Sequence, residues 1–159
     1  MLMQPPVIKH TEATPVAEEL VQVVRLAAAD LRGIAPDAAM ERPAPGKWSR
    51  KEILGHLVDS ASNNHQRFVR AQEGAEMRGP GYAQEHWVAA QDYQGRDWQE
   101  LIALWEAYNL HISHVIRAIP AARLATPCII ADREPVTLLY VVQDYLDHLR
   151  HHLRQIFPA

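Results

Sequence analysis

The chain has 159 residues, a hydrophobic content of 48% and a formal net charge of -3, which favour one packed domain and argue against disorder and nucleic-acid binding. No stretch approaches the roughly 20 apolar residues of a membrane span, and the N-terminus shows no signal-peptide pattern. The single cysteine, Cys128, cannot form an internal disulfide, which is typical of a reducing compartment, so we expect a cytoplasmic protein.

The first predicted helix follows a proline-containing segment. Residues 1–14 are predicted to form a loose N-terminal arm. Thr14 is a candidate N-cap because a proline follows it at the first helical position. We therefore predict a helix over residues 15–32, followed by a linker over 33–47.

The second predicted helix begins with a capping box. Ser49 is followed three residues later by Glu52, so each can bond the other's backbone N–H group. The helix should continue to about Gln72. Its core stripe is Ile53, Leu57, Ala61, Asn64 and Phe68. Leu54, Val58 and Val69 lie outside that arc. We therefore expect a second buried surface on this helix, and from it a homodimer.

The longest irregular stretch covers residues 74–96. It contains a short predicted helix near residues 84–90, and we expect it to cover part of a pocket mouth. The third long helix is predicted over residues 97–118, with Leu104 in its buried stripe.

The last predicted helix runs from about Val136 to Ile156. It follows a connector over residues 120–135, in which residues 128–130 are a candidate strand. Four long helices in a chain of this size predict an all-α fold, a four-helix bundle with long connections, as a single domain over residues 1–159.

Histidines concentrate in that last helix. His148 and His152 stand four residues apart, so a helix places both imidazoles on one face. A helical wheel puts both at the border of the inward face and turns His151 away. His56 occupies the matching border of the second helix. Three neutral imidazoles on two neighbouring helices would suit a divalent transition metal with an open coordination position.

Two interpretations of these histidines stay open on spacing alone. They form either a metal site or a solvated cationic cluster that the helix macrodipole favours. In a metal site, Asp59, Asp144 and Gln155 are candidates for orienting the imidazoles or a bound water. His111 could reach the same pocket, although its position is more typical of the edge of a core.

Three segments together resemble a known family. They are residues 46–59, with the Trp-Ser start of the second helix and its Gly-His-Leu-x-Asp motif, residues 63–68, and residues 144–156 with the terminal His-x-x-His-His. With the Asp-Trp that opens the third helix, they resemble the DinB/YfiT-like superfamily of metal-dependent enzymes over nearly the whole chain.

The resemblance implies a fold and a site. The superfamily has a four-helix bundle with long connections and is often homodimeric. Its metal, commonly nickel or zinc, is held by one histidine of the second helix and a His-x-x-x-His pair of the last. Transferred position by position, this implies that His56, His148 and His152 are the metal ligands.

The resemblance also bounds the function. Relatives include thiol S-transferases that use bacillithiol or mycothiol and a mycothiol-dependent maleylpyruvate isomerase, but no motif here identifies a thiol pocket. We expect the metal to activate water or a low-molecular-weight thiol for hydrolysis or thiol transfer on a small-molecule substrate, with Asp59 as the orienting or proton-accepting group. The alternative is a non-catalytic dimeric bundle that binds a metal or ligand.

Overall fold

Four long helices dominate the computed structural model, which describes residues 10–158. In chain order the helices are α1 (Thr14–Arg32), α2 (Pro36–Met40), α3 (Arg50–Arg70), α4 (Gln84–Ala90), α5 (Trp98–Ala118) and α6 (Leu138–Ile156). Around the bundle the long helices follow each other in the order α1, α5, α3 and α6, and α6 contacts α1 again. The predicted four-helix bundle is therefore confirmed. Within the described range, no helix combines the length and the apolar content that a membrane crossing needs.

Side-chain contacts show the direction of each helix. The Arg50 Nε donates to the carbonyl of Ile156 at 3.1 Å, so α3 begins where α6 ends and the two are antiparallel. The Trp98 indole donates to the carbonyl of Leu31 at 3.2 Å, so α1 and α5 are also antiparallel. Helices α3 and α5 point the same way. The connection over residues 71–97 must therefore return along the bundle, which explains its length.

A three-stranded sheet joins the two long connections. Strand β1 (Met77–Gly79) pairs in parallel with β2 (Pro127–Ile130), which pairs antiparallel with β3 (Val136–Thr137). The predicted strand at residues 128–130 lies within β2. The Thr137 side chain accepts a hydrogen bond from the backbone of Tyr140 at 3.1 Å and caps α6. Helix α6 therefore begins two residues later than predicted, because β3 takes those two residues.

The capping box of α3 is present as predicted. The Ser49 hydroxyl accepts from the Glu52 backbone N–H at 3.1 Å, and the Glu52 carboxylate accepts from the Ser49 backbone N–H at 2.8 Å. The Arg42 guanidinium also binds Glu52 and lowers the pKa of its carboxyl group. The local signal in the sequence therefore locates the start of α3 correctly.

The N-terminal prediction needs correction. Residues 1–9 of the predicted arm lie outside the described residues. Ala13 and Thr14, at its other end, are buried, and the Thr14 hydroxyl accepts from the Thr11 backbone at 2.9 Å. Thr14 is the first residue of α1 rather than its N-cap. The predicted linker over 33–47 also contains helix α2.

One prediction about buried surfaces is wrong, and a second is correct only in part. Leu104 is 41% exposed on α5. Leu54 and Val58 are buried within a single chain, because α2, α4 and the 3₁₀ turn at Tyr93–Gly95 cover the outer face of α3. The second buried surface is therefore present at Leu54 and Val58 without a partner chain, whereas Val69 is 44% exposed. The homodimer loses the support of Leu54 and Val58 and stays a prediction.

Candidate metal centre

Three histidines meet between α3 and α6. His56, His148 and His152 form what we call the histidine cluster, in which one possible ligand atom from each residue lies within 4.8 Å of the others. The Nε2 atoms of His56 and His148 are 3.2 Å apart. The ring of His152 lies 4.6 Å from that of His56 and 4.5 Å from that of His148, centroid to centroid. The structure thus brings together the three residues selected from the sequence.

The antiparallel packing of α3 against α6 explains this meeting. His56 is fully buried near the start of α3, and it lies opposite the second half of α6. His148 and His152 are half-buried one turn apart on that part of α6. The Trp48 ring lies 5.1 Å from the His56 ring. The cluster is therefore recessed between two helices rather than placed on the surface.

One pair of nitrogen atoms in the histidine cluster has the spacing of two ligands of a metal ion. Ligand nitrogens held about 2.0–2.1 Å from one ion, at tetrahedral or octahedral angles, are roughly 2.9–3.4 Å apart. The 3.2 Å between the Nε2 atoms of His56 and His148 falls in that interval. Without a cation, one of the two imidazoles would donate its Nε2–H to the Nε2 atom of the other. The Nδ1 atom of His56 is buried and has no hydrogen-bond partner among the described residues.

Burial keeps these imidazoles neutral. It lowers the pKa of His56 to about 3, and the charges of His152 and His148 act in the same direction. Burial followed by the charges of His152 and His151 lowers the pKa of His148 to about 4. The pKa of His152 is also lowered, mainly by burial. Neutral imidazole is the form that binds metals, so the three histidines can bind a cation at neutral pH without first losing a proton.

Two side chains orient the imidazoles. Gln155 Oε1 lies 2.8 Å from the Nδ1 atom of His152, which makes Nδ1 the donor and leaves Nε2 free. The Ser60 hydroxyl lies 3.4 Å from the Nδ1 atom of His148. Gln155 therefore has the contact predicted for it, whereas Asp144 makes no hydrogen bond to the cluster within the described residues. His151 is exposed, in agreement with the helical wheel.

Asp59 lies beside the cluster on the outer side of α3. Its Oδ1 atom accepts from the Tyr93 hydroxyl at 2.6 Å and from the Gln91 amide at 2.7 Å. Its Oδ2 atom is buried without a partner among the described side chains. Burial raises the pKa of this carboxyl group. The Tyr93 ring passes directly over Gly55, where a Cβ atom would lie 2.2 Å from the ring. These contacts connect Asp59 to the segment before α5 rather than to the histidines.

His111 does not approach the cluster. Its ring lies 5.1 Å from that of His65, and the His65 Nδ1 atom is 3.1 Å from the Tyr108 hydroxyl. Access of His111 to the metal pocket was the less favoured of two interpretations, and it is wrong; the side chain is exposed. It faces α3 on a different side of α5, a difference that spacing on one helix could not reveal.

Two cavities reach the cluster from different sides. One of about 770 Å³ is lined by His148, Ser60, Arg67 and Tyr82 among others. The other, of about 750 Å³, is lined by His152, Gln155 and Trp48 among others. The connection over 74–96 lines both of them, as predicted, because Glu85 borders each cavity. The positions of Trp48 and Tyr82 beside the cluster depend on tertiary contacts and were not predicted.

Comparisons with known proteins agree with this architecture. The sequence profile of the DinB superfamily matches residues 19–156. The structure of YfiT from Bacillus subtilis, described as a probable metal-dependent hydrolase with an unusual four-helix bundle topology, superimposes with a TM-score of 0.73. The alignment covers 96% of this chain and 89% of that chain at 20% identity, which supports a common fold. No curated protein sequence matches the chain.

Proposed function

The chain belongs to the DinB superfamily, and from that premise we propose that it is a metal-dependent enzyme acting on a small molecule. The observation that supports this most directly is the histidine cluster, with its neutral imidazoles and nitrogens within 4.8 Å. Nickel or zinc would suit three imidazole nitrogens. A bound ion of this kind supplies acidity to a water molecule or affinity for a thiolate.

The residues around the cluster have defined tasks in this proposal. Gln155 holds the His152 ring in the orientation that leaves Nε2 free. Ser60 does the same for His148 from the opposite helix. Trp48 covers the His56 ring on one side and limits the access of water. Each of these groups orients or shields the histidines rather than reacting itself.

The number of cavities favours thiol transfer, whereas the similarity to YfiT favours hydrolysis. A hydrolase needs one substrate pocket, because water is the second reactant. Here separate cavities of about 770 and 750 Å³ border His148 and His152. Two pockets on one metal site would suit a low-molecular-weight thiol and an electrophile. The description of YfiT as a probable metal-dependent hydrolase supports the other branch.

Asp59 keeps a secondary place in the proposal. It makes no hydrogen bond to the cluster within the described residues, and Tyr93 and Gln91 occupy one of its oxygens. Its negative charge raises the pKa of Tyr82, after burial, and Tyr82 lines the cavity beside His148. We therefore propose that Asp59 influences a proton on the substrate side through Tyr82.

Metal analysis of purified variants tests the site. We expect about one nickel or zinc ion per wild-type chain, and loss of that ion in His56→Ala, His148→Ala and His152→Ala. His151→Ala is the matched control, because His151 is the exposed neighbour on the same helix. Equal metal content in the wild type and in His148→Ala would contradict the assignment of His148 as a metal ligand.

Turnover then separates an enzyme from a binding protein. Metal-loaded protein should hydrolyse esters or amides, or consume a small thiol in the presence of an electrophile, and His148→Ala should do neither. A loaded protein that is inactive across a broad panel would favour the non-catalytic metal- or ligand-binding bundle. A homodimer also remains our proposal, and a strict monomer at micromolar concentration in sedimentation would contradict it.

A further inference from the structure

Arg67 faces the same cavity as His148 without an acidic partner. Its guanidinium donates to Asn64 Oδ1 and to the Pro80 carbonyl, each at 3.3 Å. The side chain is half-buried, and no carboxylate of the described residues lies within 4.0 Å of it. A half-buried guanidinium that binds only neutral oxygens retains donors for an anion.

The charges around Arg67 do not neutralise it. Burial lowers the pKa of the Arg67 guanidinium, and the charge of Arg133 lowers it further. Asp144 acts in the opposite direction from across the cavity but makes no ion pair with it. The carboxylates that line this cavity belong to Glu85, Glu134 and Asp144, and all three residues are exposed. The charge of Arg67 therefore lies deeper in the cavity than these carboxylates, which outnumber Arg133, the exposed cation of the same lining.

Arg67 and the histidine cluster occupy one line along α3. Ser60, whose hydroxyl is 3.4 Å from His148, precedes Arg67 by two turns. A rise of 1.5 Å per residue separates the two backbone positions by roughly 10 Å. A ligand that touches both ends must be elongated, and a cavity of about 770 Å³ has room for it.

We propose that Arg67 binds the carboxylate of an elongated small-molecule substrate whose reacting group reaches the histidine cluster. This inference rests on the proposed function and names the substrate class. A guanidinium matches a carboxylate with two parallel hydrogen bonds. The acidic residues at the rim disfavour a multiply charged group such as phosphate, so the single negative charge of a carboxylate is the better match.

Cobalt-loaded protein provides a readout that does not depend on turnover. Thiolate binding to Co²⁺ produces a charge-transfer absorption, so 6-mercaptohexanoate and 6-mercaptohexanol can be titrated as a charged and a neutral probe. We expect the wild type to bind the acid roughly tenfold more tightly than the alcohol. Arg67→Gln should lose that preference while its affinity for the alcohol stays the same.

Two control variants sharpen the test. Arg70→Gln removes an exposed arginine of the same helix, whose side chain hydrogen-bonds Gln66 and no other described residue, and it should keep the preference for the acid. Asp144→Asn removes the competing carboxylate and should increase it. If Arg67→Gln does not fold, Arg67→Lys keeps the charge but loses the paired donors, and it should show a reduced preference.

The outcomes separate this inference from the proposed function. The inference is overturned, and the metal assignment stands, if the protein binds Co²⁺ but takes up the acid and the alcohol with equal affinity. The same holds if the preference for the acid persists in Arg67→Gln. If Co²⁺ does not bind, the metal assignment fails, and calorimetric titration of the metal-free protein with the same probes decides the inference. An Arg67-dependent preference for the acid would still support a carboxylate site, and no preference would overturn it.

Discussion

The interface between α1 and α5 and the interface between α3 and α6 bury different chemistry. From Ala17 to Leu31 every buried residue of α1 is apolar. Helix α3 also buries polar and charged residues, which are Lys51, Glu52, His56, Asp59, Ser60 and Asn64. Two buried polar atoms of α3, His56 Nδ1 and Asp59 Oδ2, have no described partner, and the same holds for Trp105 Nε1 and Arg117 Nε of α5. The α1–α5 interface therefore buries fewer polar side chains, which on α5 are Asn109 and Ser113, and no charged one from Ala17 onward. We expect it to provide the stability that lets α3 hold a polar site.

The largest expected effect comes from a cavity in the apolar half. Leu20 is fully buried on α1, and Leu20→Ala should lower the free energy of unfolding by about 2–5 kcal/mol. Leu26→Ala is the matched control, because Leu26 is 70% exposed on the same helix, and it should change little. Denaturant unfolding measures both. Equal losses would mean that α1 does not provide the stability assigned to it.

The second effect is a stabilisation that should exist only in the polar half. A metal present at 100 times its dissociation constant should raise the free energy of unfolding of the wild type by about 2.7 kcal/mol. His148→Ala should lose this gain without losing stability in the metal-free state. Thermal unfolding with and without nickel or zinc shows the difference. A similar metal-dependent shift in both proteins would place the ion elsewhere.

A smaller effect tests the contact between the Tyr93 ring and Gly55 on the outer face of α3. In Gly55→Ala the new Cβ atom would lie 2.2 Å from the Tyr93 ring. The Tyr93 ring must then move, which weakens its hydrogen bond to Asp59 and lowers the free energy of unfolding by about 1–3 kcal/mol. The higher helix propensity of alanine raises the free energy of unfolding by about 1 kcal/mol. The net loss should therefore be at most about 2 kcal/mol. Gly74→Ala, with no atom nearer than 3.9 Å, serves as the control. A Gly55→Ala protein more stable than wild type by the full helix-propensity gain of about 1 kcal/mol would show that the Tyr93 ring moves without cost.

The smallest effect concerns the buried carboxyl group of Asp59. Burial raises the pKa of this carboxyl group in the folded protein above the ordinary value of an aspartate, so its charged form destabilises the fold at neutral pH. Asp59→Asn should therefore be more stable than wild type at pH 7, and the difference should vanish once the pH falls below the unfolded pKa. Unfolding curves across this range measure it. Lost stability and lost turnover, with metal retained, would instead indicate that the site uses the charge.

The features that could be predicted are local. The capping box at Ser49 needs only residues three apart, and the apolar stripe of α6 needs only its own periodicity. The pairing of His148 with His152 likewise follows from one turn of helix. The addition of His56 required the wheel of a second helix and the family resemblance, because no spacing along the chain connects it to α6.

The features that were missed depend on contacts between distant segments. Strand β1 pairs with β2 about fifty residues later, and no short sequence pattern predicts this pairing. Leu54 and Val58 were assigned to a partner chain, but helices of the same chain cover them. Tyr93 lies on Gly55 only because the connection before α5 returns along the bundle. The surroundings of the histidines, including Arg67, therefore required the structure.

X-ray absorption at the metal edge of the nickel- or zinc-loaded protein tests the histidine cluster most directly. Imidazole rings give outer-shell scattering that water and carboxylate ligands do not. We predict three imidazole ligands at about 2.0–2.1 Å in the wild type and an unchanged spectrum in His151→Ala. A shell of oxygen ligands alone, or a wild-type spectrum reproduced by His56→Ala and His148→Ala, would contradict the account.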